Sequence, residues 1–272
     1  MFIKSIRRTC SMGILAILFM VTARIQAQDR DSTAVLDRFS GQVLREGIQP
    51  SEPLLDHVSG SFSVTNNGIS LIPSFSLGDP AAIFLGKFAR KRFSVEPDIR
   101  FSLQGRPWTL LFWFRYQAVD NERFSLRVGA HPALNFRTAT VLDNGVEKTI
   151  NSARRFLAAE LAPSFKISEK IQVGAYYLTS WGFDDTSKRV NFVTLNSTLS
   201  DLDLAGRLYM VLSPQVFYLS QDALHGYYST LTATLALRNC PVSISALFNM
   251  AIDTDILPEE DFIWSLTLTY GF

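Results

Sequence analysis

Cysteine is almost missing from this chain. Its 272 residues include two, Cys10 and Cys240, and Cys10 lies in an N-terminal segment that reads as a removable signal. Cys240 alone then remains, which excludes an intrachain disulfide, a zinc knuckle and a Cys-x-x-Cys redox site. No cofactor or metal ligand set is expected. An excess of positive charge is also lacking: when Lys4, Arg7, Arg8 and Arg24 leave with the signal, the 26 bases fall to 22 against 25 acids. A binder of the nucleic-acid backbone needs the opposite balance, so nucleic acid is excluded as a partner. Long apolar runs are absent beyond the signal. The longest, Trp108 to Phe114, falls far short of the ~20 residues a membrane helix requires. The sequence has no Gly-x-Ser-x-Gly, no His-Glu-x-x-His and no phosphate loop, so no catalytic residue is assigned.

What is present begins with the signal. Lys4, Arg7 and Arg8 precede the apolar run Gly13–Ala23, and Ile25-Gln26-Ala27 offers a cleavage site. Residues 1–27 are therefore expected to be a cleaved secretory signal. Residues 28–56 are polar, with Pro50 and Pro53; within them Val35, Leu36, Phe39, Val43 and Leu44 recur near helical spacing behind Asp31 and Ser32. These residues predict a periplasmic leader, disordered or carrying one short helix.

From residue 57 to the end the hydrophobic pattern has period two. At the C-terminus Phe262, Trp264, Leu266, Leu268, Tyr270 and Phe272 share one face, and Ile263, Ser265, Thr267, Thr269 and Gly271 the other. Tyr227–Leu237 and Val242–Ile252 repeat the pattern about the turn Arg238–Pro241. Further runs fall near 57–65, 69–88, 93–104, 107–118, 123–141, 154–166, 171–182, 189–199 and 204–219. The spacing predicts an all-β, antiparallel transmembrane β-barrel of about 12 strands, with 10 possible if the N-terminal runs do not span separately.

The two faces decide which side is wet. Between 93 and 104, Phe93, Val95, Ile99, Phe101 and Leu103 oppose Ser94, Glu96, Asp98, Arg100 and Gln104; the same parity sets Arg115, Arg127, His131, Arg137 and Glu160 opposite apolar neighbours. A twelve-strand interior is wider than side chains alone fill, which disfavours an apolar lumen. A membrane barrel places the apolar residues against lipid. Glu96, Asp98, Arg100, Arg115, Arg127, His131, Arg137 and Glu160 are accordingly the lumen-lining candidates.

Loop lengths give a direction. Joins at Leu142–Ala153, Phe183–Arg189, Ser220–Gly226 and Asp253–Asp261 read as long and polar, whereas those at Val119–Glu122, Ile167–Lys170, Leu199–Asp203 and Arg238–Pro241 read as short. Long outward and short periplasmic joins are expected of such a barrel. Trp108, Tyr116, Trp181, Tyr218, Tyr227, Trp264 and Tyr270 lie near strand ends, where interfacial girdles form.

The ending Leu266, Leu268, Tyr270, Phe272 resembles the C-terminal signature of bacterial outer-membrane β-barrel proteins. The resemblance implies the outer membrane of a Gram-negative cell, contact with its lipids and lipopolysaccharide, and recognition of these four residues by the outer-membrane assembly machinery. The stretch Ala130–Phe136 is similar to part of a family of small members of that class and implies no activity. The residues point to a narrow, porin-like channel or a filled barrel with a charged interior for an unspecified small solute. Two alternatives stand beside it: a lipid-modifying hydrolase using His225 with Ser220 or Ser229, and a docking barrel with a periplasmic partner. The acids Asp253, Asp255, Glu259, Glu260 and Asp261 read as a solvated loop, and Cys240 as a buried or idle thiol.

Overall fold

Period-two alternation commits each run to a strand with one face on either side, and hairpin turns join neighbours in sequence. A computed structural model describes residues 55–143, 146–184, 187–257 and 260–272. The expected signal and nearly all of the 28–56 leader lie outside the described residues, as does Glu259. Twelve strands follow: β1 (His57–Thr65), β2 (Ala81–Arg90), β3 (Phe93–Ser102), β4 (Pro107–Asp120), β5 (Phe124–Asp143), β6 (Val146–Lys166), β7 (Ile171–Gly182), β8 (Arg189–Ala205), β9 (Leu208–Gln221), β10 (Leu224–Leu237), β11 (Val242–Thr254) and β12 (Phe262–Gly271). Each pairs antiparallel with its sequence neighbours, and β1 pairs with β12 to close the ring. The count is twelve, not ten.

Closure rests on a short seam. Ser61–Thr65 pair with Thr267–Gly271, and beyond them Gly60 and Phe272 exchange two backbone hydrogen bonds of 2.9 Å. A Cβ on Gly60 would lie 2.8 Å from two ring carbons of Phe272, so glycine makes room for the terminal ring.

Alternation divides the wall by polarity. The outer face exposes Phe62, Phe112, Phe114, Leu157, Leu161, Leu195, Val216, Leu231, Phe248 and Leu268, among others. Ser63, Thr65, Ser94, Asp98, His131, Glu160, Thr194, Thr230, Asn249 and Ser265 are buried on the opposite side. Hydroxyl pairs cross the strands there, as Ser63 with Thr269 at 2.9 Å and Thr234 with Ser245 at 2.8 Å. A membrane-spanning barrel requires this inversion, since lipid offers no partner to polar groups.

Several expectations are corrected. The run 69–88 is not one strand: β2 starts at Ala81, and residues 66–80 form a connection with a 3-10 turn at Pro73–Phe75. Pro73, Pro80 and Gly78, whose φ is +76°, interrupt the extended backbone. The polar stretch Leu199–Asp203 is no turn, because β8 runs through it on irregularities at Leu199/Leu202 and Asp203/Ala205 and turns at Gly206-Arg207. Two joins expected to be long are tight. β9 and β10 meet across Asp222-Ala223, and β5 and β6 pair as far as Asp143 with Val146. β4 stops pairing with β5 at Asn135 and β7 stops pairing with β6 at Phe156, so residues 136–143 and 146–155 continue as a two-stranded ribbon past the ring. Cys240 is exposed in the β10–β11 turn, which removes the buried alternative.

Trp108 is also corrected. The register slips between Arg100/Thr109 and Phe101/Pro107, so Trp108 is the extra residue of a bulge on β4. A bulge re-aims a side chain. Trp108 is turned to the inside and is 1% exposed, away from any interfacial girdle.

Candidate functional site

The 66–80 connection is held among the inward side chains of the wall. Gly68 binds it to itself by accepting from Leu77 N–H at 2.7 Å and donating to the Asp79 carbonyl at 2.8 Å. Its tip reaches two separated arcs of the ring. On one arc Trp108 Nε1 donates to the Phe75 carbonyl at 2.7 Å, Arg137 donates to the Ser74 carbonyl, and the Phe75 ring meets Phe156 edge-on at 5.0 Å. On the other, Ser74 Oγ donates to Gln221 Oε1 at 2.8 Å, and Ile72 packs with Val190, Phe192, Phe217, Leu219, Tyr228 and Ile256. The segment thus bridges β4–β6 to β8–β10.

Arg115 is the centre of the ion pairs. Its Nε and Nη2 donate to the two oxygens of Glu160 at 2.8 and 3.1 Å, and its Nη1 donates to Glu96. Glu160 also accepts from Arg127 Nε at 3.0 Å and from the Tyr176 hydroxyl at 2.9 Å. Glu96 accepts from Ser94 Oγ at 2.9 Å, with Lys87 Nζ 3.7 Å away. The Glu160 side chain has no exposure, so each of its lone pairs needs such a donor. Arg115 further stacks over Trp113, its guanidinium carbon 4.2 Å from the ring centroid.

Glycine permits the central pair. Arg115 on β4 and Glu160 on β6 flank Gly129 on β5, where a Cβ would lie 3.0 Å from Arg115 Cγ and 3.1 Å from Glu160 Cγ and Oε1. Gly129, Tyr176 and Lys87 were not among the sequence candidates. The strand parity could have supplied Lys87, but the other two depend on register between strands.

The remaining candidates do not join this cluster. Asp98 accepts two bonds of 2.7 Å from Arg100, two places along the same strand. Arg137 serves the 66–80 segment. His131 is buried with its ring centroid 3.9 Å from that of Trp113. Leu266, Leu268 and Phe272 are exposed on the outer face, and Tyr270 follows the same parity. His225 forms a 2.6 Å hydrogen bond with the Tyr218 hydroxyl; Ser220 is its register partner on β9, but among the described residues no side-chain hydrogen bond joins it to Ser220 or Ser229. Among the described residues no group of acids, cysteines or histidines could hold a metal ion.

A closed ring of twelve antiparallel strands with an apolar outer face and buried polar side chains on its inner face defines a transmembrane β-barrel of the outer-membrane type. No family model and no curated protein matches the sequence. Solved structures do resemble the fold. The KdgM porin superposes with a TM-score of 0.49 at 11% identity, covering 79% of this chain and 99% of its own. The COG4313 outer membrane channel from Pseudomonas putida F1 gives 0.48 at 12%, covering 85% and 100%. LpxR from Salmonella typhimurium gives 0.46 at 12%, covering 79% and 99%.

Proposed function

We propose that this chain is an outer-membrane channel with a charged lumen, held narrow by its β1–β2 segment and by the ion pairs around Arg115. The observation that carries the reading is the bridge made by residues 72–75 between β4–β6 and β8–β10, because a chain crossing the lumen takes up its cross-section. The charge distribution supports it. Fixed charges held in mutual pairs stiffen a lumen and leave little net field to attract one class of ion.

In this reading the end bearing the 66–80 segment and the β5–β6 ribbon faces outward. The outer apolar residues meet lipid and lipopolysaccharide, and Leu266, Leu268, Tyr270 and Phe272 present the assembly signal. Residues 1–27 deliver the chain across the inner membrane. Conduction requires no catalytic group.

Planar-bilayer recording tests it. The full barrel should show small, infrequent steps, and replacing residues 70–76 with a Gly-Ser linker of equal length should raise the unit conductance several-fold. Large steps of equal size in both proteins would overturn the reading.

A further inference from the structure

Buried side-chain polar groups in folded proteins almost always find a hydrogen-bond partner. Here four that lack one among the described residues converge on a single cavity: Thr109 Oγ1, His131 Nδ1, Asn135 Oδ1 and Ser180 Oγ. All four residues are at least nine-tenths buried. The cavity holds about 150 Å³ between β4, β5, β6 and β7 and the 66–80 segment.

Register brings the groups together. Thr109 is opposite Asn135 across β4 and β5, while His131 and Ser180 both flank Ala158 of β6. Ala158 is what keeps the space open, since a larger inward residue there would fill the gap between His131 and Ser180. Trp108, Phe75 and Phe156 form apolar walls. The charged side chain that lines the cavity, Arg100, has two of its N–H groups bound to Asp98.

We infer that this cavity is a binding site for a small neutral polyol. Hydroxyls and an imidazole both donate and accept, and the Asn135 amide, whose Nδ2 donates to the Trp108 carbonyl, offers its Oδ1 as an acceptor, so the lining suits a ligand that both donates and accepts. With Arg100 already paired to a carboxylate, the site offers no free charge to hold an ion. The carbon-bound hydrogens of a polyol fit the aromatic walls, as pockets with few polar groups on an apolar lining commonly arrange. A cavity of about this volume holds a molecule the size of benzene, the bulk of a short polyol and well short of a disaccharide. Because Ser70, Ile72 and Phe75 line the cavity, an occupant also touches the segment that bridges the lumen. The site does not depend on conduction; a barrel that binds polyol without conducting satisfies it.

Tryptophan emission reads occupancy, because Trp108 and Trp113 line the cavity while Trp181 and Trp264 are exposed outside. The refolded full barrel carrying Trp181→Phe and Trp264→Phe is titrated with glycerol and with erythritol, with sucrose as the control for bulk solvent. A saturable change with the two short polyols and none with sucrose is expected. Thr109→Val with Ser180→Ala, folded by heat-modifiable gel migration, should weaken half-saturation about tenfold or more through two lost hydrogen bonds. Thr232→Val, elsewhere in the lumen, should leave it unchanged. If the double variant does not fold, Ser180→Ala alone should weaken it about threefold. No saturable change, the same change with sucrose, or one indifferent to Ser180 would overturn the proposal and leave the cavity to water.

Discussion

Trp108 and Phe75 are 33 positions apart, and the indole Nε1 of one donates to the backbone carbonyl of the other at 2.7 Å. That bond fastens the β1–β2 segment to the wall through a residue that a bulge turned inward. Trp108→Phe keeps a ring in place but removes the donor. A single hydrogen bond contributes about 0.5–1.5 kcal/mol net, so release of the segment should rise about two- to tenfold. Bilayer recordings should show more frequent openings of the same unit size. An opening frequency equal to wild type would mean that the segment is held by its Ile72 packing alone.

Gly129 is the second test, because it separates the partners of the central ion pair. Gly129→Ala places a methyl group 3.0–3.1 Å from Arg115 and Glu160 side-chain atoms, and overpacking of this kind costs about 1–3 kcal/mol. Arg115→Ala should cost more, about 3–5 kcal/mol, because it leaves the fully buried Glu160 carboxylate with only Arg127 and Tyr176. Adding Glu160→Gln to Arg115→Ala should recover part of that loss. Urea unfolding in lipid vesicles measures all three. A double variant no more stable than Arg115→Ala would show that the loss comes from packing on Trp113, not from unpaired charge.

Much of the fold was legible because lipid imposes a strict rule on one face of every strand. Phe262 to Phe272 obey it without exception and Tyr227 to Leu237 with one, Ser229, and strand count and polarity followed. The run 69–88 and Trp108 were misread because apolar side chains there are buried inside. Ile69, Leu71, Phe75 and Leu77 alternate as a strand would, yet Phe75 packs on Phe156 and Leu71 on the cluster around Ile72. Periodicity cannot separate an apolar partner in the lumen from lipid. Trp108 carried the parity of Leu110 and Phe112, and only the slip in register between β3 and β4 reversed it. The charged candidates were readable one by one. Their partition into an Arg115 cluster and a separate Asp98–Arg100 pair was not, since Gly129 matters only through strands on either side.

Asp184 supplies a pH dependence outside the membrane-spanning strands. Arg155 donates to its carboxylate from both the guanidinium and the backbone N–H, and these bonds hold the Asp184 carboxyl down at about 2. A depressed carboxyl stabilises the folded loop above its ordinary value near ~3.9, and that contribution is lost as pH falls through the folded value. The β7–β8 connection should therefore resist proteolysis at neutral pH and loosen between about pH 4 and pH 2. Asp184→Asn should be loose throughout. Protection unchanged by the substitution at neutral pH would place the restraint elsewhere, at the Lys188 and Asp222 contact.

Leu268 and Thr267 are adjacent on β12 and test the polarity of the whole wall. Leu268 is exposed on the outer face, opposite Val64 and Ile244; Thr267 faces the other way, opposite Thr65 and Ser245. Arginine at 268 would have to sit in hydrocarbon or reach to the interface, at a cost of ~2–4 kcal/mol near the midplane and ~0–1 near the surface. At 267 the guanidinium would enter a region lined by hydroxyls, where water and the Ser245 and Thr65 oxygens can solvate it. Leu268→Arg should thus lose more unfolding free energy in vesicles than Thr267→Arg. Both variants must first be shown to insert, by heat-modifiable migration, so that a failure of assembly is not counted as instability. Should Thr267→Arg prove the more damaging, the outer face of β12 would not be its lipid face, and the inverted arrangement would fail at the strand where the sequence states it most clearly.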